Sequence, residues 1–142
     1  MSLLERMQAA ARQQAERPVY SDVDELREFI DGMTGAGLDY THRVTIRMRF
    51  ADACQDKNGC RLTFISDAEQ DLEAILKAFQ VLDESSKDKF AFRVLVWGAR
   101  IESISFVQGQ LVTMSNIYNL QHYSGKSLSG TVRRADVPIS HS

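Results

Sequence analysis

Tyr40 and His42, two residues apart, and Glu102, beside Ile104 and Phe106, are polar groups at positions whose alternation assigns them to an interior face. A histidine and a carboxylate gathered in an apolar pocket would have shifted proton affinities and could work as acid and base on a small apolar molecule. At strand ends the same three residues would simply meet water. A second constellation is basic. Arg43, Thr45, Arg47 and Arg49 share odd parity with Arg61 and Thr63, and the segment from Arg43 to Arg61 holds five positive and two negative residues. Such a face, with Trp97 as a stacking partner, could hold phosphate groups or meet an acidic protein surface. Solvated arginines on a one-sided antiparallel sheet are also ordinary.

Other chemistries are excluded by spacing. Cys54 and Cys60 are five residues apart and His42, His122 and His141 are scattered, with no His-Glu-x-x-His or Cys-x-x-Cys pair, so no metal site is expected. Leu120 to Ser127 echoes a phosphate-binding loop through Gly125-Lys126-Ser127, but the first glycine is missing and Ser127-Leu128-Ser129-Gly130 is a poor helix start; a surface loop is expected instead. No Gly-x-Ser-x-Gly elbow occurs. A Cys54–His42 dyad is conceivable, but both fall on the expected apolar side, where a buried thiol and a hydrogen-bonded core histidine account for them. No cofactor is expected.

The elements that position these residues follow from composition and period. The chain has 142 residues, 44% hydrophobic and 25% charged, with a formal charge of −2, the balance of one globular domain. That charge argues against a protein built mainly to neutralise nucleic acid, while leaving room for a local basic face. No apolar run approaches the roughly 20 residues of a membrane-spanning helix. Glu5 and Arg6 interrupt the first apolar residues, so no signal peptide is expected. With two cysteines only, reduced thiols and a cytoplasmic location are expected.

Residues 2–17 place Leu3, Leu4, Met7, Ala10 and Ala11 on one helical stripe that ends at Pro18. A second helix is predicted from Ser21 or Asp22, burying Leu26, Phe29, Ile30 and Met33 and ending at the glycines 32, 35 and 37. Ser66-x-x-Glu69 reads as a capping box for a third helix running to about Asp83, with Leu72, Ile75, Leu76, Phe79 and Leu82 on its apolar face. Residues 67–88 carry seven acidic side chains against two lysines, a solvated face or a dock for a basic partner.

Strict alternation from Tyr40 to Phe50 predicts a strand, with a second from Cys60 to Ile65. Parity selects the turn between them. A two-residue loop would set Met48 and Phe50 beside Arg61 and Thr63, whereas a three-residue loop, Lys57 to Gly59, pairs even with even. The latter is expected, and it places Cys54 and Cys60 on one face without facing each other; a five-residue loop would make them a cross-strand pair. A strand apolar on both faces is predicted at Phe90–Ala99, then strands at Ile101–Val107 and Gln110–Tyr118, and a short one at Thr131–Val137.

The expected architecture is α+β. Two N-terminal helices and a third amphipathic helix pack on one curved sheet made of a β-hairpin and three to four further, mostly antiparallel strands, for which a cone is one arrangement. Its parts are an N-terminal helix that is either mobile or partner-binding (1–18), one domain (19–137) and a tail (138–142). The element order is similar to the cone-shaped folds of the nuclear-transport-factor-like superfamily, which includes steroid isomerases, epoxide hydrolases and non-enzymatic adaptors. The leading functional expectation is a non-enzymatic interaction domain, self-associating or adaptor-like, using the sheet face around Arg47 and Trp97 with Arg43, Arg49 and Arg61. The alternatives are an acid–base pocket using Tyr40, His42 and Glu102, and nucleic-acid binding on the basic hairpin.

Overall fold

The computed structural model describes residues 1–15, 18–34, 38–39, 42–68, 70–122 and 127–138. The helices are α1 (Leu3–Ala15), α2 (Val23–Thr34), α3 (Leu72–Gln80) and the single turn α4 (Glu84–Lys87). The strands are β1 (Val19–Tyr20), β2 (Leu38–Asp39), β3 (Val44–Asp56), β4 (Gly59–Ile65), β5 (Ala91–Trp97), β6 (Leu111–Gln121) and β7 (Leu128–Arg133). The expected α+β class with one curved, mostly antiparallel sheet is what forms.

The sheet goes further than curvature. Its order is β1-β3-β4-β5-β7-β6-β2, and β3 also pairs with β6, so β3, β4, β5, β7 and β6 close into a barrel. β5 and β7 run parallel, and every other pairing inside the barrel is antiparallel. Numbered within the barrel the order is 1-2-3-5-4-1, so the chain crosses from the third strand over the fifth before closing on the first. Alternation supplies the interior: Ile46 and Met48, Leu62 and Phe64, Phe92 and Val94, and Met114, Ile117 and Leu128 are all fully buried. Leu26 and Ile30 of α2 join the same core.

The expected parity holds in the core, by a different device. The turn has two residues, Lys57-Asn58, with Asp56 opposite Gly59, and a bulge between Phe50 and Asp52 absorbs the mismatch. Below the bulge Phe50 faces Phe64, and above it Ala53 faces Leu62. A consequence is that Cys54 lies opposite Arg61 and is exposed while Cys60 is buried, correcting the expectation that the two share a face. Gly59 is obligatory here because a Cβ would run into the Val96 carbonyl oxygen.

Three further expectations are corrected. Ser66 does not open α3. Its hydroxyl accepts from Val23 N (2.8 Å) and donates to Asp22 (3.0 Å), holding the start of α2, and α3 begins after Asp71 in a left-handed conformation. Residues 101–107 are not a strand, because β6 already occupies the position between β3 and β7. They form a 3₁₀ turn at Ile101–Ser103 whose backbone is held by a side chain, Gln55, through Ile101 N (2.8 Å) and Ala99 O (3.3 Å). The last strand starts at Leu128 instead of Thr131. α3 and Leu82 cover one end of the barrel's outer wall, where Ala51, Ile65, Phe79 and Ala91 form a second, smaller core.

Candidate functional site

Helix α3 covers one end of the outer surface of β4 and β5, and α4 is tied to β5 through Arg93. At the covered end Thr63, Arg93 and Ser129 lie in one cross-strand row. Arg93 donates to Thr63 Oγ1 (3.1 Å), Glu84 (3.2 Å) and Asp88 (3.4 Å), so the acidic segment between β4 and β5 is pinned to the sheet by this nearly buried guanidinium. Two residues along, the next row is less covered, with Cys54 and Arg61 exposed, Leu95 and Tyr118 half-buried and Thr131 buried. It runs Cys54, Arg61, Leu95, Thr131 and Tyr118 across five strands, about 19 Å at the usual strand spacing of about 4.8 Å. Arg43 extends it, its guanidinium carbon 4.9 Å from the centre of the Tyr118 ring.

Beyond that row Trp97 stands between Gly59 and Arg133, 58% exposed. The β3–β4 turn and the C-terminal ends of β5 and β7 meet at this end of the barrel. They bring Lys57, Arg61, Arg100, Arg133 and Arg134 together with Asp56, Glu102 and Asp136, a local excess of two positive charges on a chain whose total is −2. Arg61 pairs with Asp56 (2.7 Å) and Arg133 with Asp136 (3.0 Å). Both arginines are substantially exposed, and exposed pairs of this kind contribute about 0–1 kcal/mol, so either guanidinium can exchange its carboxylate for a phosphate at small cost. The arrangement is one indole, one cation-backed phenol and several exchangeable arginines on a convex sheet. Its chemistry is stacking and anion contact.

The residues singled out by sequence are distributed as follows. Arg61 and Trp97 lie on this open face, diagonal neighbours on adjacent strands. Arg47 does not join them; it is exposed on the N-terminal half of β3 beside Thr113 of β6. Arg49 is committed elsewhere, donating to Asp67 (2.9 Å) and to the Gly109 carbonyl (3.1 Å), and is largely buried. The basic stripe of β3 and Arg61 are separated because the bulge at Ala51 reverses the parity of the strand.

Of the acid–base candidates, Tyr40 lies outside the described residues. His42 is exposed before the start of β3, edge-on to Phe29 at 6.3 Å. Glu102 is exposed in the 3₁₀ turn held by Gln55, at the far end of the same 13-residue strand. The barrel interior between them is filled by side chains. Burial, with the nearby Cys54 and Glu102, pushes the Cys60 thiol above its ordinary value.

Three elements of the face escaped sequence reasoning. Arg133 and Tyr118 are on it because β7 parallels β5 and pairs with β6, a topology that no local pattern encodes. Leu95 is expected on a covered strand, and on the outer side of β5 it is half-buried beside Arg61. Away from this face, His122 Nδ1 lies 2.7 Å from an Asp31 carboxylate oxygen, tying the end of β6 to α2. The loop echoing a phosphate-binding motif falls largely on residues 123–126, outside the described residues. No helix among the described residues is long and apolar enough to cross a membrane. Compared with known proteins, the chain matches no family model, no curated protein and no solved structure.

Proposed function

We propose that the protein is a binding module that holds single-stranded nucleic acid along the open outer face of β4, β5 and β7. The observation carrying this reading is the placement of Trp97 and Leu95 among Arg61, Arg133 and the Arg43–Tyr118 pair on one continuous wall. Bases have π faces that stack on aromatic side chains whatever their sequence, and arginines track the phosphates between them. OB-type barrels use the corresponding second and third strands, with the adjoining loops, for oligonucleotides and oligosaccharides; that is an analogy of fold and adds support without deciding function. The acidic helices fit the reading too. By occupying the other half of the wall they confine a polyanion to the Trp97 end. A cytoplasmic location with both thiols reduced suits it, since Cys54 and Cys60 point to opposite sides of the hairpin. The interaction-domain reading is favoured by a different surface, the exposed apolar stripe of α1.

The test is fluorescence anisotropy of a labelled oligothymidylate of about 15 nucleotides, long enough to span one OB-sized site. Binding is expected at low salt. Arg61→Glu and Arg133→Glu should each weaken it severalfold or more, while Lys77→Glu, the same charge change on an exposed position of α3, should leave it unchanged. Absence of binding at low salt, or equal weakening by all three variants, would overturn the reading.

A further inference from the structure

The inference concerns self-association and is independent of the nucleic-acid reading. Helix α1 is formed, and among the described residues its large apolar side chains are left exposed. Ser2 Oγ accepts from Glu5 N and donates to the Glu5 carboxylate, both at 3.1 Å, giving the helix a start signal of its own. Its apolar stripe is nonetheless open, Leu3, Leu4 and Met7 being 62–65% exposed, and no α1 residue belongs to either core. A 13-residue helix is marginal by itself in water and draws its stability from packing an apolar face.

The body of the protein has the complementary vacancy. Between α3, the start of α2 and the end of β4 runs a groove of about 430 Å³. Its walls are Ile75, Ala78, Phe79, Leu82, Phe90 and Val23, with Phe90 55% and Ile75 38% exposed. The charged residues lining it are each paired, Asp24 with Arg27 (2.6 Å) and Asp67 with Arg49 (2.9 Å), and the segment 67–88 that forms most of its wall supplies an excess of five negative charges. Helix α1 carries Arg6 and Arg12 against Glu5. Apolar stripe and apolar groove therefore match, and the net positive charge of the helix matches the excess negative charge of the segment beside the groove.

We propose that α1 of one copy docks in the α3 groove of a second copy, and the reverse, giving a two-fold dimer by helix exchange. A reciprocal contact of this kind closes on itself and leaves neither surface unsatisfied. Each exchanged helix buries three large apolar side chains, so removing one of them should weaken association roughly tenfold or more.

The experiment is analytical ultracentrifugation of the full chain, with circular dichroism to check folding. The wild type is expected to be dimeric at micromolar concentration, and Leu4→Asp on the helix or Phe90→Asp in the groove should each give monomers. Both positions are exposed in a single copy, so neither change disturbs a core. Mixing the two variants should restore a heterodimer, because the intact helix of one meets the intact groove of the other. A monomeric wild type, which would include docking of α1 in its own groove, overturns the proposal. So does a dimer broken by Leu4→Asp alone, which would mean that α1 pairs with α1.

Discussion

Closure of the sheet into a filled barrel makes a single methyl group decisive at Gly130. This residue faces inward on β7, opposite Val94. A Cβ built there would lie 2.6 Å from Ile117 Cγ2, 3.3 Å from the Phe92 ring and 3.4 Å from Leu120 Cδ2, so Ile117, on the neighbouring strand, would have to retreat by about 1 Å. Its own surroundings are fully buried, and forcing one methyl into such a core costs typically about 1–3 kcal/mol. For a domain of this size each kcal/mol moves the melting temperature by about 3–4 °C, so Gly130→Ala should lower Tm by roughly 3–12 °C. The internal reference is Gly32→Ala in α2, where nothing lies within 4 Å of the new methyl and the backbone is helical. There the same substitution should stabilise by about 0.5–1 kcal/mol, through helix propensity. Calorimetry on the two variants gives opposite signs if the barrel is closed and filled. An open cone would leave the inner side of β7 facing a cavity, and Gly130→Ala would then be neutral or favourable; that result would refute the packing described here.

Further outcomes follow from the site and its supports. At about pH 8 a thiol reagent should modify Cys54 rapidly and Cys60 only after unfolding, because Cys60 is buried and its thiol is held protonated above the ordinary value; the thiolate is the reactive form. Two reactive thiols in the native protein would contradict the bulged register. The backbone N–H of Ser86 holds the Asp83 carboxyl below the usual carboxylate range. A folded value below the unfolded one adds stability above the unfolded pKa and loses it as pH falls through the folded one, so the α4 cap should survive mild acid; carboxyl carbon NMR titration reads this directly. Trp97→Ala should weaken oligonucleotide binding by roughly five- to 150-fold, the worth of one stacked base, with little change in Tm because the indole is exposed.

How far these features could be read in advance depended on how local their causes are. The stripes of α1 and α2, the alternation of Val44 to Phe50 and the pairing of inward Phe50 with inward Phe64 are set by neighbours two to four residues away, and they came through. The turn was misread for a physical reason. Parity between two strands can be kept by lengthening the loop or by bulging a strand, and only the packing of Ala51 under α3 selects the bulge. The Ser66-x-x-Glu69 pattern was similarly ambiguous, since a serine hydroxyl serves whichever backbone N–H tertiary structure brings to it, and that proved to be Val23, 43 residues away. Arg61 and Trp97 could be nominated from residue type. That Arg47 stands apart from them, and that Arg133 and Tyr118 stand with them, depends on barrel closure and the parallel β5–β7 pair, which are non-local.

Trp97 is the only tryptophan in the chain, so its emission reports on the proposed face without any label. The most direct measurement is its fluorescence during titration with single-stranded oligothymidylate at several salt concentrations. The account predicts saturable quenching by the single strand, much weaker quenching by duplex, and log K falling against log salt with a slope of roughly −2 for about three phosphate contacts. Emission unchanged at low salt, or binding by anisotropy that leaves Trp97 undisturbed, would contradict it.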